Sequence, residues 1–236
     1  MKRVLAALLS TLALAAPFCA HALQITVIGG SGMIGQRIVA EALTRGHTVQ
    51  LIVRDPARVQ HARERVKLVQ ADALDTEAMT RIAAGQDAVI SAVGAARASS
   101  PDYDLYLKAA RSLTQALREL GETAPRLVVV GGVGTLKDAQ GRLMLERAAA
   151  DRQPEHLGQK AALDFYRTVA DVRWTYVSPP ARIAPGERRG VYRTALDELL
   201  VDAQGASAIS MEDFAVAILD EIERPRHVRQ RFTVAY

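Results

Sequence analysis

The chain has 236 residues, of which 49% are apolar and 24% are charged, and its formal net charge is +4. This composition is typical of one globular protein that is long enough for a complete α/β core. Lys2 and Arg3 lie in a segment that looks removable, and without them the net charge falls to +2. A net positive charge this small argues against nucleic acid as a partner.

The first 22 residues have the layout of a secretory signal. Lys2 and Arg3 precede an apolar run from Val4 to Ala16, and Ala20-His21-Ala22 forms a small-x-small cleavage site. We therefore expect a mature chain of residues 23–236, periplasmic or secreted, with no stable membrane span. The alternatives are a retained membrane anchor and a start codon placed too far upstream, in which case the protein is cytoplasmic.

Apolar runs alternate with amphipathic stretches along the rest of the chain, which predicts a single α/β domain with a doubly wound, mostly parallel sheet and helices on both faces. Six strands and a seventh near the carboxyl terminus are predicted at Leu23–Ile28, Val49–Val53, Val66–Gln70, Ala88–Ala92, Leu127–Val130, Trp174–Val177 and Phe232–Ala235. Helices are predicted at Met33–Arg45, Thr76–Ala84, Asp102–Leu120, His156–Val169 and Met211–Ile222.

The first predicted strand leads directly into three glycines spaced three apart and then into the first helix. Gly29 permits a tight turn, Gly32 lets the backbone approach a pyrophosphate, and Gly35 allows close packing of helix on strand. Free N–H groups and the helix dipole attract an anion at this turn. The pattern therefore predicts a dinucleotide site; a packing turn without a ligand is the alternative.

Charged residues follow the second and third strands. Arg54 stands where NAD-specific sites carry an acid, and a guanidinium there favours the 2′-phosphate of NADP(H), with NAD(H) still possible because Asp55 is next to it. Asp72, after the third strand, is predicted to bond the adenine; an ordinary turn carboxylate is the alternative.

Small residues follow the fourth and fifth strands. Ser91-Ala92-Val93-Gly94-Ala95 leaves room for a nicotinamide ribose or a pyrophosphate against the backbone, although a plain turn would use the same residues. Gly131-Gly132-Val133-Gly134-Thr135 fits the crevice where open α/β sheets bind ligands, and we expect it to face the reacting ring.

The Tyr-x-x-x-Lys pair of ordinary short-chain dehydrogenases is absent from the sequence. His156 and Lys160 have the same spacing, which places both side chains on one helix face. They are the candidate catalytic residues: His156 as an acid near neutral pH and Lys160 holding a ribose hydroxyl. A helix-start histidine and a solvated lysine are the favoured alternative, because Gly158 weakens the helix between them.

Metal binding is not expected. Cys19, the only cysteine, falls in the signal segment, and His47, His61 and His227 are isolated in the sequence. Near the carboxyl terminus, Ser210 followed by Asp213 resembles a capping box, and the basic segment 224–231 is predicted to be a solvated connector.

Taken together, these residues resemble the NAD(P)H-binding branch of the atypical short-chain dehydrogenases and, within it, the NADH-flavin reductase group related to biliverdin reductase B. The resemblance covers residues 23–236, and its later blocks are the more group-specific. The matching blocks are ITVIGGSGMIGQRIVAEALTRGH, LIVRDPAR, QADALD, DAVISAVG, VVVGGVG, WTYVSPPARIAPGERRGVYR and LLVDAQGASAISMEDFAVAILDEIE.

The resemblance implies a Rossmann domain whose carboxyl-terminal region walls a substrate cleft. It implies hydride transfer from NAD(P)H to a planar conjugated acceptor such as a flavin, a quinone or a tetrapyrrole. A redox sensor of the NmrA-like type, which binds the dinucleotide without turnover, is the main alternative, and nucleotide-sugar epimerisation is a third. The implied cofactor-binding residues are Gly29, Ser31, Gly32, Met33, Ile34, Gly35, Arg54, Asp72, Ala73, Ala92, Val93, Gly94 and Pro179.

Overall fold

The computed structural model describes residues 22–59, 63–94 and 102–236. The predicted signal up to His21, with Cys19, and the isolated His61 and Ala95 lie outside these residues. In the described part of the chain, no helix is both long and apolar enough to cross a membrane.

The described residues contain ten strands and five α-helices. The strands are β1 (Gln24–Ile28), β2 (Thr48–Val53), β3 (Lys67–Gln70), β4 (Ala88–Ser91), β5 (Arg126–Val130), β6 (Trp174–Ser178), β7 (Arg182–Ala184), β8 (Arg193–Ala195), β9 (Ala208–Ser210) and β10 (Gln230–Ala235). The helices are α1 (Met33–Thr44), α2 (Thr76–Ala83), α3 (Leu105–Leu120), α4 (Gln153–Arg167) and α5 (Met211–Glu223).

Eight strands form one sheet in the order β3-β2-β1-β4-β5-β6-β10-β8, and β7 pairs with β9 separately. All neighbours in the large sheet are parallel except β8, which runs antiparallel to β10 at the edge. The strand order reverses between β1 and β4, so the crevice expected to bind ligands lies at their carboxyl ends. This architecture confirms the predicted doubly wound α/β fold.

Helices cover both faces of the sheet. Successive residues of β1 point to opposite faces: Val27 belongs to the core shared with α1 and α5, and Ile28 belongs to the core shared with α2, α3 and α4. Both residues are at most 4% exposed. Because both faces are buried, the central strands are continuous apolar runs, which is why the sequence reveals them.

Local signals set the ends of α1 and α5. Gly46 has φ +82°, its N–H donates to Leu43, and the N–H of His47 donates to Ala42, which is a Schellman end for α1. Ser210 caps α5 by accepting from the N–H of Asp213 at 2.9 Å. The predicted capping box is only half formed, because the Asp213 carboxylate instead accepts from Tyr236 and from the N–H of Gly190.

One expectation for the carboxyl-terminal third was wrong, and one feature of this region was missed. The three short strands β7, β8 and β9 were not predicted. The basic segment is not a solvated connector throughout, since Arg231 is buried within β10 and His227 binds Glu221 at 2.8 Å. His47, which has no neighbouring ligand in the sequence, has its Nε2 2.9 Å from Glu223 of α5.

Candidate functional site

The turn between β1 and α1 can be formed only with glycine at position 29. Gly29 has φ +78°, and a Cβ placed there would lie 2.4 Å from the carbonyl oxygen of Ala92. The end of β4 is close because the N–H of Ala92 donates to Ile28 at 2.9 Å. The glycine turn and the small residues after β4 therefore meet backbone to backbone at the strand-order reversal.

Helix α1 packs directly onto this turn. A Cβ on Gly35 would lie 2.4 Å from the carbonyl oxygen of Gly29. Gly32 is the N-cap of α1, and no side chain in the described part of the chain caps it. The first-turn N–H groups of Met33 and Ile34 have no partners within the helix, so the arrangement is suited to receive an anion.

Gly30 was not singled out from the sequence, although the structure requires it. A Cβ there would lie 2.1 Å from Cδ1 of Leu51 on β2. Gly30 therefore serves packing, while the neighbouring Ser31 carbonyl accepts from Gln36 at 3.0 Å. Two adjacent glycines at positions 29 and 30 were the sequence signal from which this packing role could have been predicted.

Arg54 follows β2 directly and is exposed at the same edge as the glycine turn. The two are close because the N–H of Gly29 lies 3.4 Å from the carbonyl oxygen of Ile52. Asp55 uses its carboxylate to accept the N–H of Ala57 at 3.0 Å, which caps a short 3-10 turn. Within the described ranges the exposed Arg54 side chain has no hydrogen-bond or ion-pair partner, whereas the Asp55 carboxylate already holds the chain.

Asp72 and Ala73 follow β3. The Asp72 carboxylate accepts the N–H of Leu74 at 3.0 Å, which is the turn role named as the alternative to adenine binding. Its side chain is exposed, so the second carboxylate oxygen remains open to solvent. Ala73 is 7% exposed and packs in the core, so that its side chain is unavailable to a ligand.

Three side chains pack against the glycine loop after β5, which consists of residues 131–135. A Cβ on Gly131 would lie 1.9 Å from the Tyr176 ring. One on Gly132 would lie 1.6 Å from the Gln159 amide, and one on Gly134 would lie 2.5 Å from the His156 ring. Each glycine of this loop therefore makes room for a different side chain.

His156 and Gln159 reach the glycine loop from α4. Among the described residues, Nδ1 of His156 and Oε1 of Gln159 are buried polar atoms with no hydrogen-bond partner. Unpaired buried polar groups are costly, so these two atoms make this end of α4 a candidate for contact with a ligand. Gln159 was not predicted, although its spacing of three from His156 places it on the same helix surface.

Lys160 lies one turn after His156, as the spacing predicts. Its ammonium binds Asp164 of the same helix at 2.5 Å, and its side chain is 37% exposed. Gly158, between them, is not a weak point in the helix: a Cβ there would lie 2.4 Å from the carbonyl oxygen of Tyr103. The helix therefore continues through this region and packs closely on the start of the α3 segment.

Tyr166 and Tyr176, which are buried at α4 and β6, are not activated phenols. Burial raises the pKa of Tyr166 and of Tyr176. The Tyr176 hydroxyl also donates to the carbonyl oxygen of Gln159 at 3.1 Å, which fixes α4 against β6. Within the described residues, no three or more His, Cys, Asp or Glu side chains are grouped to hold a metal ion.

The segment after β6 begins with buried Pro179 and crosses to α1 and α5. Arg188 donates two hydrogen bonds of 2.7 Å to Glu41 of α1, and these bonds lower the pKa of that carboxylate despite its burial. The N–H of Gly186 donates to Glu212 of α5, also at 2.7 Å. These hydrogen bonds hold the segment beside α1, the helix that follows the glycine turn.

A family model described as NAD(P)H-binding matches residues 29–225. A protein of Burkholderia pseudomallei described as a candidate exported protein is 40% identical, with a TM-score of 0.80, over 91% of this chain and 100% of that one. A candidate epimerase of Bacteroides thetaiotaomicron is 32% identical, with a TM-score of 0.82, over 91% and 97%. A candidate NADH-flavin reductase of Streptococcus pneumoniae TIGR4 is 32% identical, with a TM-score of 0.80, over 91% and 99%.

Proposed function

The chain belongs to the NAD(P)H-binding family, and from that premise we propose that it is a reductase that passes hydride from NAD(P)H to a planar conjugated acceptor of the flavin, quinone or tetrapyrrole type. The observation that carries the proposal is the backbone cradle at Gly29 and Gly35, where any side chain would collide with main-chain atoms. The description of the pneumococcal relative as a candidate NADH-flavin reductase supports the same reaction class.

In this proposal the pyrophosphate binds the open N–H groups of Ser31, Met33 and Ile34, while the N–H of Gly32 donates to the carbonyl oxygen of Gly29 at 3.0 Å and holds the turn. Asp72 and the backbone of Ala73 border the adenine. The residues Ala92, Val93 and Gly94 border the ribose next to the nicotinamide, and Pro179 closes the far side. Residues 23–236 form one domain, whose part after β6 borders the acceptor.

NADP(H) is the proposed cofactor, with NAD(H) the second choice. Arg54 is exposed beyond β2, where a guanidinium can fork onto a 2′-phosphate. The acid that would repel this phosphate, Asp55, is engaged by the N–H of Ala57. The geometry of these two neighbours supports a phosphate contact better than a ribose contact.

When bound, the dinucleotide supplies the hydride from its nicotinamide ring. The chain's contribution is alignment: the glycine loop after β5, with Tyr176, Gln159 and His156 packed against it, borders the space in which a flat acceptor lies against the ring. His156 is the proposed proton donor, because its ring packs against Gly134 with Nδ1 unpaired. A flavin or a quinone can also take this proton from water, so the acid is an aid rather than a requirement.

Sugar epimerisation, which the Bacteroides relative's description raises, fits the site less well. That chemistry normally depends on the Tyr-x-x-x-Lys pair, which the sequence lacks. The buried phenols of Tyr166 and Tyr176 have raised pKa values and cannot replace the missing tyrosine.

We also propose that residues 1–22 are a cleaved signal and that the protein works in the periplasm or outside the cell. The candidate exported relative supports this location. Sequencing the amino terminus of protein recovered from a periplasmic fraction tests it: a start at Leu23 is expected, and an intact Met1 in the cytoplasm would contradict it.

The central experiment measures NADPH oxidation with FMN, riboflavin and menadione, beside a control without acceptor. Acceptor-dependent oxidation, together with quenched and blue-shifted NADPH emission on binding, is the expected result. Tight binding with no acceptor-dependent oxidation would favour the redox-sensor alternative. Absence of binding to every pyridine nucleotide by folded protein would reject both.

A further inference from the structure

Arg231 is the second residue of β10, and its side chain is only 2% exposed. Its Nη1 donates to the carbonyl oxygen of Thr135 at 3.2 Å, to the Thr135 hydroxyl at 3.1 Å and to the Ser178 hydroxyl at 3.4 Å. Its Nε donates to Asp197 at 2.8 Å, and its Nη2 donates to the same carboxylate oxygen. One buried guanidinium therefore binds three separate segments.

These segments are the ones that surround the proposed nicotinamide end. Thr135 ends the glycine loop after β5, and its hydroxyl donates to the carbonyl oxygen of Gly132 at 3.0 Å. Ser178 is the last residue of β6 and directly precedes Pro179. Asp197 lies just beyond β8, in the part of the chain proposed to border the acceptor.

Burying this arginine is expensive, and β10 does not need it to stay in the sheet. Burial lowers the pKa of Arg231, which reflects the cost of removing its charge from water. The backbone of β10 is already paired with β6 and β8. A well-packed apolar side chain would often serve a strand equally well or better. The added effect of the guanidinium is to hold Thr135, Ser178 and Asp197 at defined distances.

We propose that Arg231 is a positioning residue, which sets the gap between the glycine loop and the Ser178–Pro179 turn and so aligns the nicotinamide ring with the acceptor. The inference rests on the proposed function, because it assumes that the ring lies in this gap. It assigns no contact between Arg231 and either ligand. Its effect is transmitted through Thr135 and Ser178.

The test compares Arg231→Lys and Arg231→Met with Arg126→Lys and Arg126→Met. Arg126 is a matched control because it is also a buried arginine, 7% exposed, but it binds Glu221 and Thr175 instead of the site loops. Four quantities are measured for each variant: unfolding free energy, NADPH affinity, the emission maximum of bound NADPH, and kcat with the fastest of the three acceptors. The deuterium isotope effect on kcat is measured with NADPH labelled at the transferred position.

Both Arg231 variants are expected to bind NADPH within about threefold of the wild type and to lower kcat by about 10- to 100-fold, the scale of a small misalignment of reacting groups. The isotope effect is expected to rise, since hydride transfer becomes slower than the other steps. The emission maximum of bound NADPH is expected to move toward that of free NADPH. The Arg126 variants lose stability only.

Unchanged kcat, isotope effect and emission in folded Arg231 variants would overturn the inference, as would equal changes in the Arg126 variants. Failure of the proposed function gives a different result, in which the wild type itself shows no acceptor-dependent oxidation. In that case the emission maximum still decides whether Arg231 shapes the surroundings of the ring. If the Met variant does not fold, the Lys variant, which keeps the charge, provides the comparison.

Discussion

Two buried arginines bind partners at opposite ends of β5 and β6, and these partners are of different kinds. Arg126 begins β5, and its guanidinium donates to the Glu221 carboxylate at 2.9 Å and to the Glu221 carbonyl oxygen at 2.6 Å. Glu221 also accepts from the N–H and the ring of His227. Arg231, in contrast, binds loop residues beyond the carboxyl ends of β5 and β6.

The comparison of Arg126 with Arg231 distinguishes residues that stabilise the fold from residues that lie at the proposed binding site. At the amino ends of the strands, opposite charges meet inside the protein and tie α5 to the sheet. At the carboxyl ends, Nδ1 of His156 and Oε1 of Gln159 lack partners within the described residues, as does Nε of Arg126 at the amino ends. The ion pairs at the first edge hold the fold together, while the polar groups at the second edge border the proposed site.

The largest effect is expected from the glycine turn. Gly29→Ala should weaken NADPH binding at least about 1,000-fold, or about 4 kcal/mol, because the new Cβ would displace the turn that receives the phosphates. Gly46→Ala is the control, since its φ is also positive but the surrounding space is open. It should cost about 1 kcal/mol of stability and leave affinity unchanged. Fluorescence titration and urea unfolding measure both; wild-type affinity in Gly29→Ala would refute the phosphate site.

The amino edge is tested through Glu221. Burial raises the pKa of this carboxylate, but hydrogen bonds from His227 and Arg126 outweigh burial and lower it from 4.5 to about 2. Its charged form therefore stabilises the protein above about pH 4.5, and that contribution, about 3 kcal/mol, is lost as the pH falls toward 2.

Glu221→Gln should remove most of this stability at pH 7 and flatten its dependence on pH between 7 and 3, with NADPH affinity at pH 7 unchanged. Urea unfolding at the two pH values measures the effect. Glu77→Gln, on the exposed face of α2, is the control and should change stability by less than about 0.5 kcal/mol. A stability loss in Glu221→Gln no larger than in this control would contradict the assigned role.

Cofactor choice gives an intermediate effect. Arg54→Glu should weaken NADPH binding by about 30-fold, or about 2 kcal/mol, and NADH binding by less than about threefold, because only NADPH carries the 2′-phosphate. Lys67→Glu makes the same charge change at the start of the neighbouring strand β3, on the opposite edge. Equal losses for both cofactors in Arg54→Glu would remove the phosphate contact.

The smallest effect is expected at Lys160. Its ammonium must leave Asp164 to reach a ribose hydroxyl, so Lys160→Met should weaken NADPH binding by less than about fivefold. Asp164→Asn should release the ammonium and strengthen binding slightly. Lys160 is a surface residue only if neither variant, Lys160→Met or Asp164→Asn, changes the affinity for NADPH.

The central strands and the five helices could be predicted because each carries its own signal. For example, β1 is mostly apolar and is followed by Gly29, which no other residue can replace. The strands β7, β8 and β9 have three residues each and no such pattern. Their partners lie far along the chain, so only the assembled protein reveals them. Gln159 and Arg231 were missed for the same reason, since their roles depend on neighbours brought from other elements.

The sequence by itself determined the alternation of buried strands and amphipathic helices and the turn whose backbone has no room for side chains, because periodicity and glycine sterics act over a few residues. Only the tertiary structure decided that the exposed Arg54 side chain has no partner among the residues described, that His156 and Gln159 pack against the loop after β5, and that Arg231 is buried between three segments. Burial and hydrogen-bond partners are properties of distant residues in contact, and no local pattern encodes them.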